Sequence, residues 1–136
     1  MPDRTISFEE LVPGYKFAPA SYELSASLVA KYQRAVDGAG DGFVPPLAIT
    51  ALAIATMAGS IPLPPGTVPI HGSQELEFFK PVPVGTTIEC HIEVAQKIAR
   101  GKMSMLILTL EVLDQGKEKV QAGKTTIALL TQERNA

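Results

Sequence analysis

PLAITALAIATMAGS, residues Pro46 to Ser60, decides how the rest of the chain is read. A double proline, Pro45-Pro46, introduces it. Proline suits a helix's first turn but not its interior, where it removes a hydrogen bond and collides with the preceding turn. Gly59-Ser60 closes the stretch, and Pro62, Pro64 and Pro65 prevent continuation. No residue between these marks is charged, and every helical face offers Ala, Leu, Ile or Met. A helix apolar all round belongs in a protein core or a membrane, and this one is shorter than the roughly 20 residues a bilayer needs. Ala48, Ala51, Ala53, Ala55 and Ala58 would let sheet backbones come close. The stretch predicts a buried central helix with a sheet wrapped around it.

Working outward, Ser25 is placed to cap a helix over 26–36, with Leu28, Val29, Tyr32 and Val36 at helical spacing and Lys31 and Arg34 on the other side. Asp37-Gly38-Ala39-Gly40-Asp41-Gly42 follows as a polar loop leading into the central helix. Residues 1–20 read as an entry segment, with a turn at Pro13-Gly14 and a first strand starting over Tyr15–Phe17. Beyond the Pro-rich connection 61–69 the pattern becomes strands: 74–80, 86–98, 103–113 and 120–130. In the second of these Ile88, Cys90, Ile92 and Val94 face inward, and Glu89, His91 and Glu93 outward. Met103–Leu113 is apolar on both faces, which marks a central strand or one covered by a partner. The class is α+β: two helices, then an antiparallel meander of about four strands closing on the buried helix 46–60. One helix cannot cover such a sheet's far end and edges, which argues for a dimer.

Composition narrows the function. A chain of 136 residues that is 46% hydrophobic and 19% charged fits one domain, 1–136, with a substantial core. A net charge of −2 without a basic run argues against nucleic acid as a partner. One cysteine, Cys90, excludes an internal disulfide and suits a reducing compartment. The opening MPDRTISFEEL lacks the apolar core of a signal peptide, so the expected location is cytoplasmic, away from the membrane.

Few residues are equipped for chemistry. The histidines are His71 and His91, and no His/Cys/Asp/Glu set has metal-ligand spacing, so neither a metal nor a cofactor is expected. Cys90 reads as a small buried hydrophobe rather than a nucleophile, and His91 as part of a solvated strand face. Gly123-Lys124-Thr125 resembles the end of a phosphate loop, but Glu118 stands where that motif needs its first glycine, and the surroundings read as strand. Asp37 and Asp41 precede the central helix, and His71 enters the next strand. An aspartate and a histidine meeting near the helix start could act as a general acid/base pair. On residue types alone, turn aspartates and a strand-edge histidine are the simpler reading.

FEELVPGYKF, YQRAVDG, FVPPLAITALAIATM and HGSQELEFFKPVPVGTTIECHIEV together resemble the MaoC-like dehydratase group, which includes (R)-specific enoyl-CoA hydratases. The His71-Gly72-x-Gln74 element is most similar to the group's N-terminal, often non-catalytic, domain. The resemblance implies a hot-dog fold, a dimer or larger assembly joined edge to edge, and an acyl-CoA or acyl-carrier-protein thioester as ligand. It also implies an apolar ligand chain entering between subunits near Phe43, Met57, Phe78 and Phe79. Active members carry an aspartate, then Asn-Pro, and a histidine five residues after the aspartate. Here Asp37 falls at the aspartate's place, but Gly38-Ala39-Gly40-Asp41-Gly42 follows, and no histidine precedes His71. The expectation is a hydratase/dehydratase-related subunit that lacks the usual pair and works beside a catalytic hot-dog partner. The alternatives are a remodelled hydratase using Asp37, Asp41 and His71, a hot-dog thioesterase, and a non-catalytic thioester-binding or assembly protein.

Overall fold

Ser25 does cap the first helix: its hydroxyl accepts the Leu28 N–H at 3.3 Å. In the computed structural model, which describes residues 7–35 and 42–131, α1 spans Ala26–Ala35 and α2 spans Pro46–Ser60. The strands are β1 (Ala20–Glu23), β2 (Thr67–Phe78), β3 (Thr87–Arg100), β4 (Met103–Asp114) and β5 (Lys119–Thr131). They form one five-stranded antiparallel sheet in the order β1-β3-β4-β5-β2.

This order corrects the expected meander. Only β3, β4 and β5 follow one another across the sheet; β2 lies at the far edge against β5. The chain therefore crosses from one edge towards the other between Phe78 and Thr87. Val82 of that crossover is buried, its carbonyl accepts the Val44 N–H at 2.7 Å, and Phe43 bridges Pro83. The crossover is thus anchored on the entry to α2. Two strand boundaries also move. The first strand lies at Ala20–Glu23, while Lys16 makes an isolated bridge to Glu93 on the same edge. β2 starts at Thr67, inside the expected Pro-rich connection, because an edge strand can carry Pro69 without losing a ladder bond.

β3 follows its alternation, with Ile88, Cys90, Ile92 and Val94 all buried. β4 is the central strand: Leu106, Leu108, Leu110 and Val112 face the core, while Met103, Met105 and Ile107 are half-buried on the outer face. The inner face meets Ala48, Ile49, Ala53 and Met57 of α2. Each large apolar side chain buried this way contributes about 1.5–3 kcal/mol relative to exposure. Gly123-Lys124-Thr125 lies within β5, as the strand pattern required.

α2 is not buried on every face. Leu47 is 58% exposed, and Ala51, Ala55 and Ala58 are exposed with it, along one stripe of the helix. At about 100° per residue, Thr56 and Thr50 lie on opposite flanks of the sheet-facing side. Thr56 meets Tyr22 of β1, and Thr50 meets Gln121 of β5. The open stripe follows on round the helix beyond Thr50, towards the β2 edge. There Ile70, His71, Phe78 and the following Phe79 are also exposed.

Candidate functional site

Between α1 and α2 runs an apolar groove of about 330 Å³. Leu28, Val29, Lys31 and Tyr32 line it from α1, and Val44, Ala48, Ala51 and Leu52 from the α2 side. The small residues on α2 make the space: an alanine at 48 or 51 leaves unfilled what a leucine would occupy. Val29 and Ala48 form the buried floor, Leu28 and Ala51 the open wall, and the exposed Lys31 stands at the rim. The groove lies within the range of small-molecule sites, roughly 300–1,000 Å³, and has their apolar lining with few polar groups.

A buried polar contact ties the first turn of α2 to β5. Gln121, 1% exposed on β5, donates its side-chain N–H to the Pro46 carbonyl at 2.8 Å. Its Oε1 accepts the Thr50 hydroxyl at 2.9 Å, and that hydroxyl also lies 3.2 Å from the Pro46 carbonyl. A buried glutamine is costly unless both ends of its amide are satisfied, and here both are. Further along α2, the Thr56 hydroxyl donates to the Leu52 carbonyl at 2.8 Å. Its single proton is thereby used, so the Tyr22 hydroxyl is the donor in the Tyr22–Thr56 hydrogen bond. Pro45 and Pro46 have no N–H, so the start of α2 offers fewer free donors to an anion or carbonyl than an ordinary helix.

The residues singled out in the sequence are dispersed. Asp37 and Asp41 lie outside the described residues, in the connection between α1 and α2. His71 is exposed on β2, paired with Ile127 across the β2–β5 ladder, and does not line the groove. Phe43 is exposed immediately before groove residue Val44. Met57 is in the core, and Phe78 and Phe79 are exposed at the end of β2, with Lys119 Nζ 5.4 Å from the centre of the Phe79 ring. Gln74, of the His-Gly-x-Gln element, accepts the Thr125 hydroxyl at 2.6 Å and donates to the carbonyls of Glu75 and Lys124 at 3.1 and 3.3 Å. That glutamine ties β2 to β5.

A second concavity, about 400 Å³, lies over the outer face of the sheet between Lys16, His91, Glu93, Thr109 and Glu111. His91 Nε2 lies 2.6 Å from the Glu89 carboxylate, which Lys117 approaches at 3.6 Å. These polar groups contact one another across an open strand face. Cys90, beneath them on the inner face, has its thiol pushed up to about 11 by burial, which suits packing rather than nucleophilic chemistry. Among the described residues no group of three or more His, Cys, Asp or Glu could hold a metal ion, and no helix is long and apolar enough to cross a membrane.

Sequence reasoning missed Leu28 and Tyr32 as groove residues and the buried Gln121–Thr50 contact on α2. Gln121 carries no distinct signal in the sequence, since Lys119 and Lys124 flank it on the same strand.

No protein-family model matches the chain, and no curated protein matches its sequence. Solved structures do. The (R)-hydratase PhaJ1 from Pseudomonas aeruginosa superposes with a TM-score of 0.77 at 21% identity, over 96% of this chain and 92% of that one. A MaoC-like dehydratase from Rhodospirillum rubrum gives 0.77 at 17% identity, over 96% and 100%. The HadBC (3R-hydroxyacyl-ACP dehydratase) complex from Mycobacterium tuberculosis gives 0.66 at 15% identity, over 86% and 96%. At these identities the likeness establishes the fold. The chain has the hot-dog fold that MaoC-like dehydratases and (R)-hydratases share.

Proposed function

We propose that this chain is a MaoC-like subunit that binds an acyl thioester, with the acyl chain in the groove between α1 and α2, and that a catalytic partner supplies the hydration or dehydration chemistry. One observation carries this reading: six apolar residues, Tyr32 and Lys31 line the groove. Adding water across an enoyl double bond needs a group to take a proton from water and one to return a proton to carbon. Among the described residues, neither a carboxylate nor an imidazole lines the groove. Both histidines lie elsewhere, one at the β2 edge and one on the outer sheet face. The Lys31 ammonium at the rim suits the anionic phosphates of a thioester carrier.

Self-association belongs to the same reading. Leu47, Ala51, Ala55 and Ala58 of α2 and the β2 edge residues Val68 and Ile70 are exposed and apolar, and a second hot-dog subunit, identical or catalytic, would cover them. The mycobacterial neighbour, described as a complex, supports such pairing. Phe43, Phe78 and Phe79 would then meet the ligand or the partner.

A second reading is favoured by the position of Asp37 and Asp41 in the chain, between the two helices that form the groove. In it the chain is a self-sufficient hydratase or dehydratase with one of these aspartates as general base and His71 as its associate. A thioesterase would use the same aspartates to activate water. Titration with octanoyl-CoA, combined with enoyl-CoA hydration and free-thiol assays, separates the readings. Binding without turnover supports the subunit; hydration lost in Asp41→Asn supports the enzyme; thiol release supports the thioesterase.

A further inference from the structure

We infer that Gln121 and Thr50 set the rotation of α2 about its own axis and thereby the width and acyl-chain selectivity of the groove. The inference rests on the acyl-binding reading for its ligand but on independent observations for its mechanics.

An amphipathic helix fixes its rotation by burying one stripe and exposing another. α2 also buries one stripe and leaves another open, but both stripes are apolar and uncharged, so its hydrophobic pattern marks the rotation only weakly. Turning it by one residue position would exchange one set of apolar side chains for another without burying a charge. The discriminating contacts are polar. The Gln121 amide reaches the Pro46 carbonyl and the Thr50 hydroxyl at 2.8 and 2.9 Å, and the Tyr22 hydroxyl reaches Thr56 two turns further on. Rotation would strand the Gln121 amide, 1% exposed, without partners. That penalty falls on wrong rotations alone, so the pair specifies geometry more than it stabilises the fold.

The consequence reaches the groove directly. Pro46 and Thr50 occupy the same helical turns as Ala48, Ala51 and Leu52, which line it. With the latch closed, two alanines face α1. A turn of about 100° would bring a neighbouring Leu or Ile to that wall and narrow the space. Gln121 and Thr50 are therefore positioning residues that act through α2 without touching the ligand.

The test is the double variant Thr50→Val/Gln121→Leu, which replaces both partners by apolar groups of similar size and is expected to fold. Butyryl-CoA and octanoyl-CoA are titrated against the wild type and the variant, and methyl relaxation dispersion is recorded for Leu47, Ile49, Leu52 and Ile54. We expect a melting midpoint close to the wild type's, a preference between the two thioesters reduced at least fivefold, and new microsecond-to-millisecond exchange at the α2 methyls. Thr50→Ser, which keeps the hydroxyl, should retain the wild-type preference. A folded double variant with unchanged preference and no new exchange overturns the inference. If the wild type binds neither thioester, the acyl-binding reading fails, and the methyl exchange alone still decides whether the latch sets the helix.

Discussion

Lys80 Nζ lies 2.5 Å from Asp114 Oδ2, joining the β2–β3 crossover to the turn between β4 and β5. Glu118 approaches the same ammonium at 3.2 Å. The other Asp114 oxygen accepts the N–H groups of Gly116 and Glu118 at 2.9 and 3.0 Å, so one carboxylate both shapes the turn and holds the crossover. The Lys80 hydrogen bond, helped by the Glu118 N–H, keeps the Asp114 carboxyl below its ordinary 3.8, and the two carboxylates raise the Lys80 ammonium above its ordinary 10.5.

The sign follows from linkage. The depressed Asp114 contributes stability above its unfolded value, lost as pH falls through the folded one. The raised Lys80 contributes stability below its unfolded value, lost as pH rises through the folded one. Asp114→Asn, which keeps the turn acceptor, should lower the melting midpoint at pH 7, with the deficit shrinking as pH drops below 4. A deficit equally large at pH 3 would show that the turn, not the ion pair, is at stake.

Gly123 places β5 against β2 more closely than any side chain permits. A Cβ there would sit 2.6 Å from the Glu75 carbonyl oxygen and 3.3 Å from Gln74 Nε2. The first obstacle is backbone of the neighbouring strand and cannot swing aside. Gly123→Ala should destabilise the fold by on the order of 1–3 kcal/mol, read by chemical denaturation, and raise hydrogen exchange along β2 before the rest of the sheet. An unchanged denaturation midpoint would contradict this packing.

Cys90 should behave as an inert core residue. With its thiol near 11 in the fold and an ordinary value of 9.0, it stays protonated while the unfolded chain begins to ionise. Stability is thus full below pH 9 and falls as pH rises towards 11. Cys90→Val should flatten this alkaline decline, and in the wild type the thiol should resist alkylation at pH 8 until denaturant is added. Rapid native labelling would mean that β3's inner face opens.

The groove can be closed without disturbing the core. Ala51 lies on its open wall and is exposed, so Ala51→Leu adds volume where the ligand chain would lie and leaves the sheet contacts untouched. The expected result is an acyl-thioester affinity lower by on the order of tenfold, about 1.4 kcal/mol, with little change in melting midpoint. Equal affinity in Ala51→Leu would move the ligand elsewhere on the molecule.

The central helix, both helix starts and the inward set of β3 were legible because proline, a capping serine and strict alternation are local signals. The place of β2 was not. Hydrophobic periodicity defines strands but carries no information on their neighbours, and the crossover through Val82 is a tertiary contact. β2 itself began early because Pro69 reads as a breaker unless the strand is already known to lie at an edge. The open stripe on α2 escaped for a related reason: a helix with no polar face gives no clue to which side is left uncovered. The groove was hidden because its walls come from two separate elements, and alanines leave space without announcing it.

The most direct test of the account is crotonyl-CoA hydration by the purified chain, followed by loss of enoyl absorbance. Octanoyl-CoA binding is measured on the same preparation, with Asp37→Asn, Asp41→Asn and His71→Ala in parallel. The account predicts saturable binding, no hydration by the chain alone, and binding unaffected in His71→Ala. Robust hydration by the wild type, abolished in one of the three variants, would contradict it and establish a self-sufficient enzyme.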